Sequence, residues 1–171
     1  VILYAQAAAQ DYMPALTNLG YCYTYGIGVE TDYAKGLECF QRGAEKGFPR
    51  AQFLLGETYR RGYGVEQDET EAAKWYQSAA WLGYPAAQTE LGRCLEFGTG
   101  LPKNLTQAIK WYRSAADRGN AAGQCCLGFC YESGTGVEQS WEQAVKWYRA
   151  AAEHGDPRAQ CNLAWCYEHA K

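Results

Sequence analysis

Apolar and small residues recur along the chain in blocks of two alternating kinds. In the first kind, Ala51, Leu55 and Tyr59 follow one another at intervals of four, the spacing of one face of an α-helix. The second kind, such as the twelve residues from Ala72, places alanines and a tryptophan-tyrosine pair at helical spacing. The alternation predicts paired amphipathic helices and an all-α protein.

The helix pairs repeat every 36 residues without an insertion. A fixed period of this length is typical of a solenoid, in which each unit buries its apolar face against the next. We therefore expect a single repeat domain, an α/α solenoid of helix-turn-helix repeats wound into a right-handed superhelix, and a segment of a longer array. The predicted boundaries are 1–12 for the end of a preceding repeat, 13–48, 49–84, 85–120 and 121–156 for full repeats, and 157–171 for the first helix of a fifth.

Helix starts and stops stand at fixed repeat positions. Prolines open three first helices, and a glycine such as Gly62 ends each of the first four, a position where it can adopt a left-handed conformation. Second helices begin at residues whose side chains can accept helical amide hydrogens. These residues are Asp32, Asp68, Asn104 and Ser140. Because Glu71, Gln107 and Gln143 follow three residues later, the pattern predicts capping boxes in every full copy except the first, where Lys35 stands instead.

The repeated string A-x-x-x-L-G-x-x-Y-x-x-G-x-G-V, followed by A-x-x-W-Y-x-x-A-A-x-x-G, resembles the Sel1-like repeat. That family is related to the tetratricopeptide repeat and has a longer loop within the helix pair. The resemblance spans essentially the whole chain. It departs locally at Leu95, Leu101 and Ala164. The resemblance implies a scaffold for protein interaction.

Charge and hydropathy exclude two classes of partner, nucleic acids and membranes. The chain has 16 basic and 19 acidic residues, a net charge of −3, and apart from the pair Arg60 and Arg61 its basic residues are scattered singly. No clustered positive field for nucleic acid is present, so no nucleic-acid partner is predicted. No apolar run approaches the length of a membrane span, about 20 residues, so membrane insertion is not predicted.

Eight cysteines raise the question of disulfides or a metal. Cys22, Cys94, Cys130 and Cys166 share one repeat position, and adjacent packed helices would hold them farther apart than a disulfide allows. We interpret them as small buried thiols, which favours a reducing, cytoplasmic compartment. The sequence predicts no metal, no cofactor and no catalytic residue, because no nucleophile is paired with an oriented base. The Gly-x-Gly pairs are turn glycines because no strand or Lys-Ser/Thr accompanies them.

A second stripe runs beside the core stripe of each first helix. By resemblance to tetratricopeptide arrays, it should line the concave face of the solenoid and bind a partner. Exposed aromatic residues flanked by Arg and Glu are typical of binding surfaces. The predicted contact residues are Tyr21, Tyr25, Arg50, Phe53, Glu57, Arg60, Arg61, Arg93, Phe97, Phe129, Glu132, Trp165 and Glu168.

The leading hypothesis is a non-enzymatic adaptor that binds a peptide or protein on this face. The second and third copies hold the arginines and the far end holds Glu132 and Glu168, so a partner with acidic residues toward one end would be complementary. The stripe aromatics could instead fold against neighbouring helices or be covered by further repeats. Two alternatives stay open: a weak β-lactamase-like hydrolase, as the resemblance to cysteine-rich relatives implies, and a structural spacer. The chain would be a monomer or would self-associate weakly through uncapped ends.

Overall fold

The structure is a computed structural model that describes residues 1–169. Within that range it contains ten helices and no strand, so the predicted all-α solenoid of 36-residue helix pairs is confirmed. The end of the predicted last segment, residues 170–171, lies outside the described residues. The helices are α1 (Ile2–Ala8), α2 (Met13–Tyr25), α3 (Tyr33–Glu45), α4 (Pro49–Arg61), α5 (Glu69–Trp81), α6 (Pro85–Phe97), α7 (Leu105–Asp117), α8 (Ala121–Ser133), α9 (Trp141–Glu153) and α10 (Pro157–His169).

The chain divides into two compact units, Val1–Leu82 and Gly83–Lys171, called unit 1 and unit 2. In unit 1 the helix pairs α2 with α3 and α4 with α5 pack closely, and α3 packs on α4. In unit 2 the corresponding pairs are α6 with α7 and α8 with α9, with α7 packed on α8 and α10 on α9. Within the units, α4 and α8 therefore each contact both the second helix of their own repeat and the second helix of the repeat before it.

The core of each full repeat is an aromatic ring of the second helix that lies on a glycine of the first. The ring of Tyr112 is fully buried, and a Cβ added to Gly92 would stand 2.5 Å from it. Only a residue without a side chain allows this approach, which places the two helix backbones close together. The same pairing occurs in the other copies as Phe40 on Gly20, Tyr76 on Gly56 and Tyr148 on Gly128.

The second helices are capped as predicted at their first turn. Asp68 accepts hydrogen bonds from the amides of Thr70 and Glu71, both at 2.9 Å. Asp32, Asn104 and Ser140 each accept one from the amide three residues on.

The reciprocal half of the predicted capping box is wrong. The amide of Asp68 donates to the carbonyl of Tyr59 on the first helix of its own repeat, at 3.0 Å, and the carboxylate of Glu71 pairs with Lys74. Asp32, Asn104 and Ser140 likewise donate to Tyr23, Leu95 and Tyr131. The tight loop brings the end of the first helix against the start of the second, so tertiary contact satisfies the amide that Glu71, Gln107 and Gln143 were expected to bind.

The loop itself depends on left-handed glycine. Gly62 ends α4 with φ of 70°, and its amide donates to the carbonyl of Thr58. Gly26, Gly98 and Gly134 repeat this conformation with φ between 67° and 77°.

Candidate partner-binding surface

The first helices present the predicted stripe next to their buried face. In α4, Ala51 and Leu55 are buried in the core, whereas Arg61 is exposed. The predicted contact residues left exposed are Tyr21, Tyr25, Arg61, Arg93, Phe97, Phe129, Trp165 and Glu168. Those that are half-buried are Arg50, Phe53, Glu57, Arg60 and Glu132.

Glu57 organises the predicted surface of unit 1. Its carboxylate accepts hydrogen bonds from Nε and Nη2 of Arg60 at 3.0 and 2.7 Å, and from Nε of Arg61 at 3.1 Å. The hydroxyl of Tyr76 donates to the same carboxylate at 2.5 Å. Burial opposes ionisation of Glu57, but the hydrogen bonds from Arg60, Tyr76 and Arg61 outweigh it and lower its pKa below the usual value. The stripe of α4 is thus a fixed network with two arginines around one carboxylate.

Four tyrosines form a continuous aromatic surface beside Arg61, called here the tyrosine cluster: Tyr21, Tyr25, Tyr33 and Tyr63. The rings of Tyr21 and Tyr25 lie 4.4 Å apart, and Tyr25 meets the edge of Tyr63 at 6.2 Å. Tyr63 stacks on Tyr33 at 5.0 Å, with the Arg61 guanidinium 5.9 Å from the Tyr63 ring centre. The sequence predicted Tyr21 and Tyr25 but missed the other two.

Tyr33 and Tyr63 lie outside the first helices, which is why helical spacing could not find them. Tyr63 is in the loop after α4, and Tyr33 is the first residue of α3. The available signal was a tyrosine within the Gly-x-Gly turn of the second copy, where the other copies have Ile27, Thr99 and Thr135.

A tyrosine-glutamate hydrogen bond ties second helices to the stripe in three repeats. The hydroxyls of Tyr112 and Tyr148 donate to Glu96 and Glu132 at 2.6 and 2.5 Å, as that of Tyr76 does to Glu57. Glu96 and Glu132 share one repeat position, where the second repeat has Arg60 and the first has Thr24, and Glu57 stands three residues earlier in its helix. The first repeat also lacks the hydroxyl, because Phe40 stands at the position of the tyrosines. Glu132 is therefore in part an internal acceptor rather than a free surface charge.

Unit 2 holds a pocket of about 350 Å³ that unites predicted residues from two helices. Phe97 of α6 and Phe129 of α8 form apolar walls, and Arg93 and Arg158 bring two guanidinium groups. Glu96, Tyr112, Cys125, Cys126 and Asn162 complete the lining. We call this the arginine-phenylalanine pocket.

The two arginines of this pocket act on the same thiol. Burial raises the pKa of Cys126 to about 12, although the positive charges of Arg93 and Arg158 act in the opposite direction. Their fields therefore converge on Cys126. Arg158 comes from the fifth copy, so the positive charge of unit 2 is not confined to the third copy, and the predicted separation of basic and acidic ends is incomplete.

Three further predicted residues, Trp165, Phe53 and Arg50, contact side chains of neighbouring helices. The ring of Trp165 lies 5.6 Å from that of Trp141 of α9, and Phe53 lies 5.9 Å from Tyr76. Arg50 donates from Nη1 to the side chain of Asn18 at 2.8 Å. The alternative of aromatics that fold against a neighbouring helix therefore applies to Trp165 and Phe53 more than to the pocket phenylalanines.

None of the eight cysteines, all of which the structure describes, forms a disulfide bond, and Cys22, Cys94, Cys130 and Cys166 are all buried. Burial raises the pKa of Cys39 to about 11 and of Cys130 to about 12, which keeps these thiols protonated and poor nucleophiles. Within residues 1–169, no group of three or more potential ligands could hold a metal ion. Nor does the described part contain a helix long and apolar enough to cross a membrane.

A sequence model of the Sel1 repeat matches residues 14–48, 49–84, 85–120, 121–156 and 157–171. The chain belongs to the Sel1 repeat family. A search of curated proteins gave no match. The Sel1 repeat fold is a scaffold that commonly serves protein interaction and is typically non-catalytic.

Solved structures are similar to this Sel1 chain over nearly its full length. A Sel1 repeat protein from Oxalobacter formigenes is 38% identical with a TM-score of 0.81, over 94% of this chain and 66% of the other. Protein c5321 of uropathogenic Escherichia coli, a protective antigen with an SLR fold, is 34% identical with a TM-score of 0.89, over 98% of this chain and 36% of the other. The immunity protein Pa5087 of Pseudomonas aeruginosa is 28% identical with a TM-score of 0.66, over 91% and 58%. The chain thus spans two thirds of these relatives' lengths or less.

Proposed function

We propose that this Sel1 chain is a non-enzymatic adaptor that binds a peptide or protein partner through the stripe on its first helices. The observation that carries the proposal is the arginine-phenylalanine pocket. Phe97 and Phe129 are 67% and 48% exposed, although each is a large apolar side chain, and both lie beside arginines.

The composition of the pocket favours recognition of another protein. Aromatic residues and arginine are enriched at protein interfaces, where rigid rings supply desolvated area and guanidinium groups fix orientation. A ring that only completes the core would be covered, as Tyr112 and Tyr148 are. Phe97 and Phe129 gain from burial only when another molecule covers them.

The tyrosine cluster offers a second contact surface within unit 1. Tyrosine supplies large contact area at small conformational cost, and its hydroxyl can bind polar groups of a partner. Tyr21, Tyr25 and Tyr33 are each more than a third exposed, and their mutual ring contacts fix their orientation before binding. Such preorganisation reduces the entropy lost on association.

The proposal is tested by pull-down with the chain and a Phe97→Ser/Phe129→Ser double variant. A matched control, Leu82→Ser, removes an apolar side chain that is 55% exposed at the end of α5, away from the stripe. All three proteins must have equal circular dichroism and melting temperature. We expect a partner that the parent chain and the control retain and the double variant loses. Equal retention by all three would contradict the proposal.

A further inference from the structure

We infer that the arginine-phenylalanine pocket selects an acidic side chain, an Asp or Glu that stands next to a large apolar residue in an extended segment of the partner. This inference rests on the proposed function and adds the chemistry of the partner. The group that the arginines would bind is a side-chain carboxylate, and the test below distinguishes it from a terminal carboxylate.

The two guanidinium groups of the pocket have more N–H donors than their carboxylate partners use. Arg93 forms an ion pair with Glu90 at 3.8 Å from its Nη1, a distance too long for a hydrogen bond. Arg158 holds Asp156 through Nε at 3.3 Å and Nη2 at 2.8 Å, and the donors on its Nη1 take no part in that pair. A guanidinium has five N–H donors, so both arginines can bind a further carboxylate.

The acidic residues near the pocket already have partners. Asp156 is buried and accepts from Arg158 and from the amides of Arg158 and Ala159 at the start of α10. Glu96 accepts from the hydroxyl of Tyr112. The two bonds to Asp156 fix the Arg158 side chain in place before a ligand arrives.

The apolar walls require more than an anion. A small carboxylic acid would satisfy the arginines but would leave Phe97 and Phe129 in water. A peptide with an apolar residue beside its carboxylate covers both features, and about 350 Å³ holds one or two side chains of such a segment. Charge complementarity and the exposed rings thus favour the same occupant.

The test selects binders from a library of random seven-residue peptides with blocked termini, followed by fluorescence polarisation of the enriched sequences. Four proteins are compared: the parent chain, Arg93→Gln, Phe129→Ser, and Lys110→Gln as a control that removes an exposed positive charge from α7. Each peptide is also made with Asp and Glu replaced by Asn and Gln, and as a version with a free terminal carboxylate.

We expect enrichment of Asp or Glu adjacent to Phe, Leu or Ile. Binding should fall by about tenfold with Arg93→Gln and with the neutral peptide, weaken with added salt, and survive Lys110→Gln. The inference would be overturned by peptides whose affinity falls with Phe129→Ser but is unchanged by Arg93→Gln and by neutralisation of the peptide. The proposed function would still stand in that case. Dependence on the terminal carboxylate alone would overturn the side-chain assignment. Failure to enrich any peptide would count against both.

Discussion

At the scale of single residues, the fold depends on the contact between a glycine and a buried ring. A Cβ on Gly92 would lie 2.5 Å from the Tyr112 ring, and the ring is enclosed on its other sides. An added methyl group must therefore displace a helix rather than a flexible side chain.

We expect Gly92→Ala to destabilise the chain by about 1–3 kcal/mol, although alanine is the better helix former by about 1 kcal/mol. Urea unfolding measures the change. The reverse substitution at the same repeat position in α10, Ala164→Gly, serves as the control because Ala164 is exposed, and it should show only the loss in helix propensity. A stabilised Gly92→Ala variant would contradict the account of the core.

The tyrosine-glutamate hydrogen bond gives a second residue-level prediction. Tyr112→Phe removes the donor to Glu96 and should cost about 1–2 kcal/mol, because the acceptor is a partly buried carboxylate. The double variant Tyr112→Phe/Glu96→Thr reproduces the first repeat, where Phe40 and Thr24 stand at these positions. A double-mutant cycle from urea unfolding should show a favourable coupling energy, whereas additive losses would mean that the bond contributes nothing.

The sequence predicted the stripe but not how its members meet. Periodicity places Arg93 and Phe97 on one face of α6 because one helix contains both. Arg158 is 65 residues later than Arg93 (158 − 93), and only the packed structure brings it into the same pocket. Only half of the tyrosine cluster was predicted, because Tyr63 lies in a loop and Tyr33 begins a second helix, so neither belongs to the periodic pattern of a first helix.

At the scale of helices and their connections, the repeat period and the caps could be predicted because they depend on local chemistry. A side-chain oxygen at Asp68 caps the second helix in any context. The capping-box prediction was wrong because its second hydrogen bond competes with tertiary structure. The Asp68 amide donates to the carbonyl of Tyr59 instead of to Glu71.

This competition predicts different costs for the two capping residues. Asp68→Ala should destabilise by about 1 kcal/mol, since two amides lose their acceptor. Glu71→Ala should change stability by less than about 0.5 kcal/mol, since it loses only an exposed pair with Lys74. Thermal and urea unfolding of both variants measure the two losses in stability. A loss for Glu71→Ala as large as that for Asp68→Ala would indicate that Glu71 does form the capping-box hydrogen bond.

The link between α4 and α5 should make stability depend on pH through Glu57. Its pKa is lower in the folded chain than in the unfolded chain, so its ionised form favours folding at neutral pH. That contribution is present above the unfolded pKa of about 4.3 and is lost as the pH falls through the folded value. The free energy of unfolding of the parent chain should exceed that of Glu57→Gln at pH 7, and the difference should shrink as the pH is lowered below about 4. A difference that stays constant would show that the network does not favour the ionised carboxylate.

At the scale of the whole molecule, we propose that this Sel1 chain uses its first helices to bind a partner and its second helices to build the scaffold. The second helices place Tyr76, Tyr112 and Tyr148 inside the core. The first helices place the aromatic and arginine side chains outside it. The family explains the scaffold, whereas the choice of partner depends on the particular residues of the stripe.

The most direct test is site-specific photo-cross-linking in lysate. Phe129→benzoylphenylalanine places the photoreactive group in the pocket, and Lys110→benzoylphenylalanine places it on the exposed side of α7 as the control. We expect a defined cross-linked partner with the first variant, which is lost when Arg93→Gln is added, and no cross-linked partner with the second. A partner that cross-links only from position 110, or equally from both positions, would contradict the claim that the first helices form the binding surface.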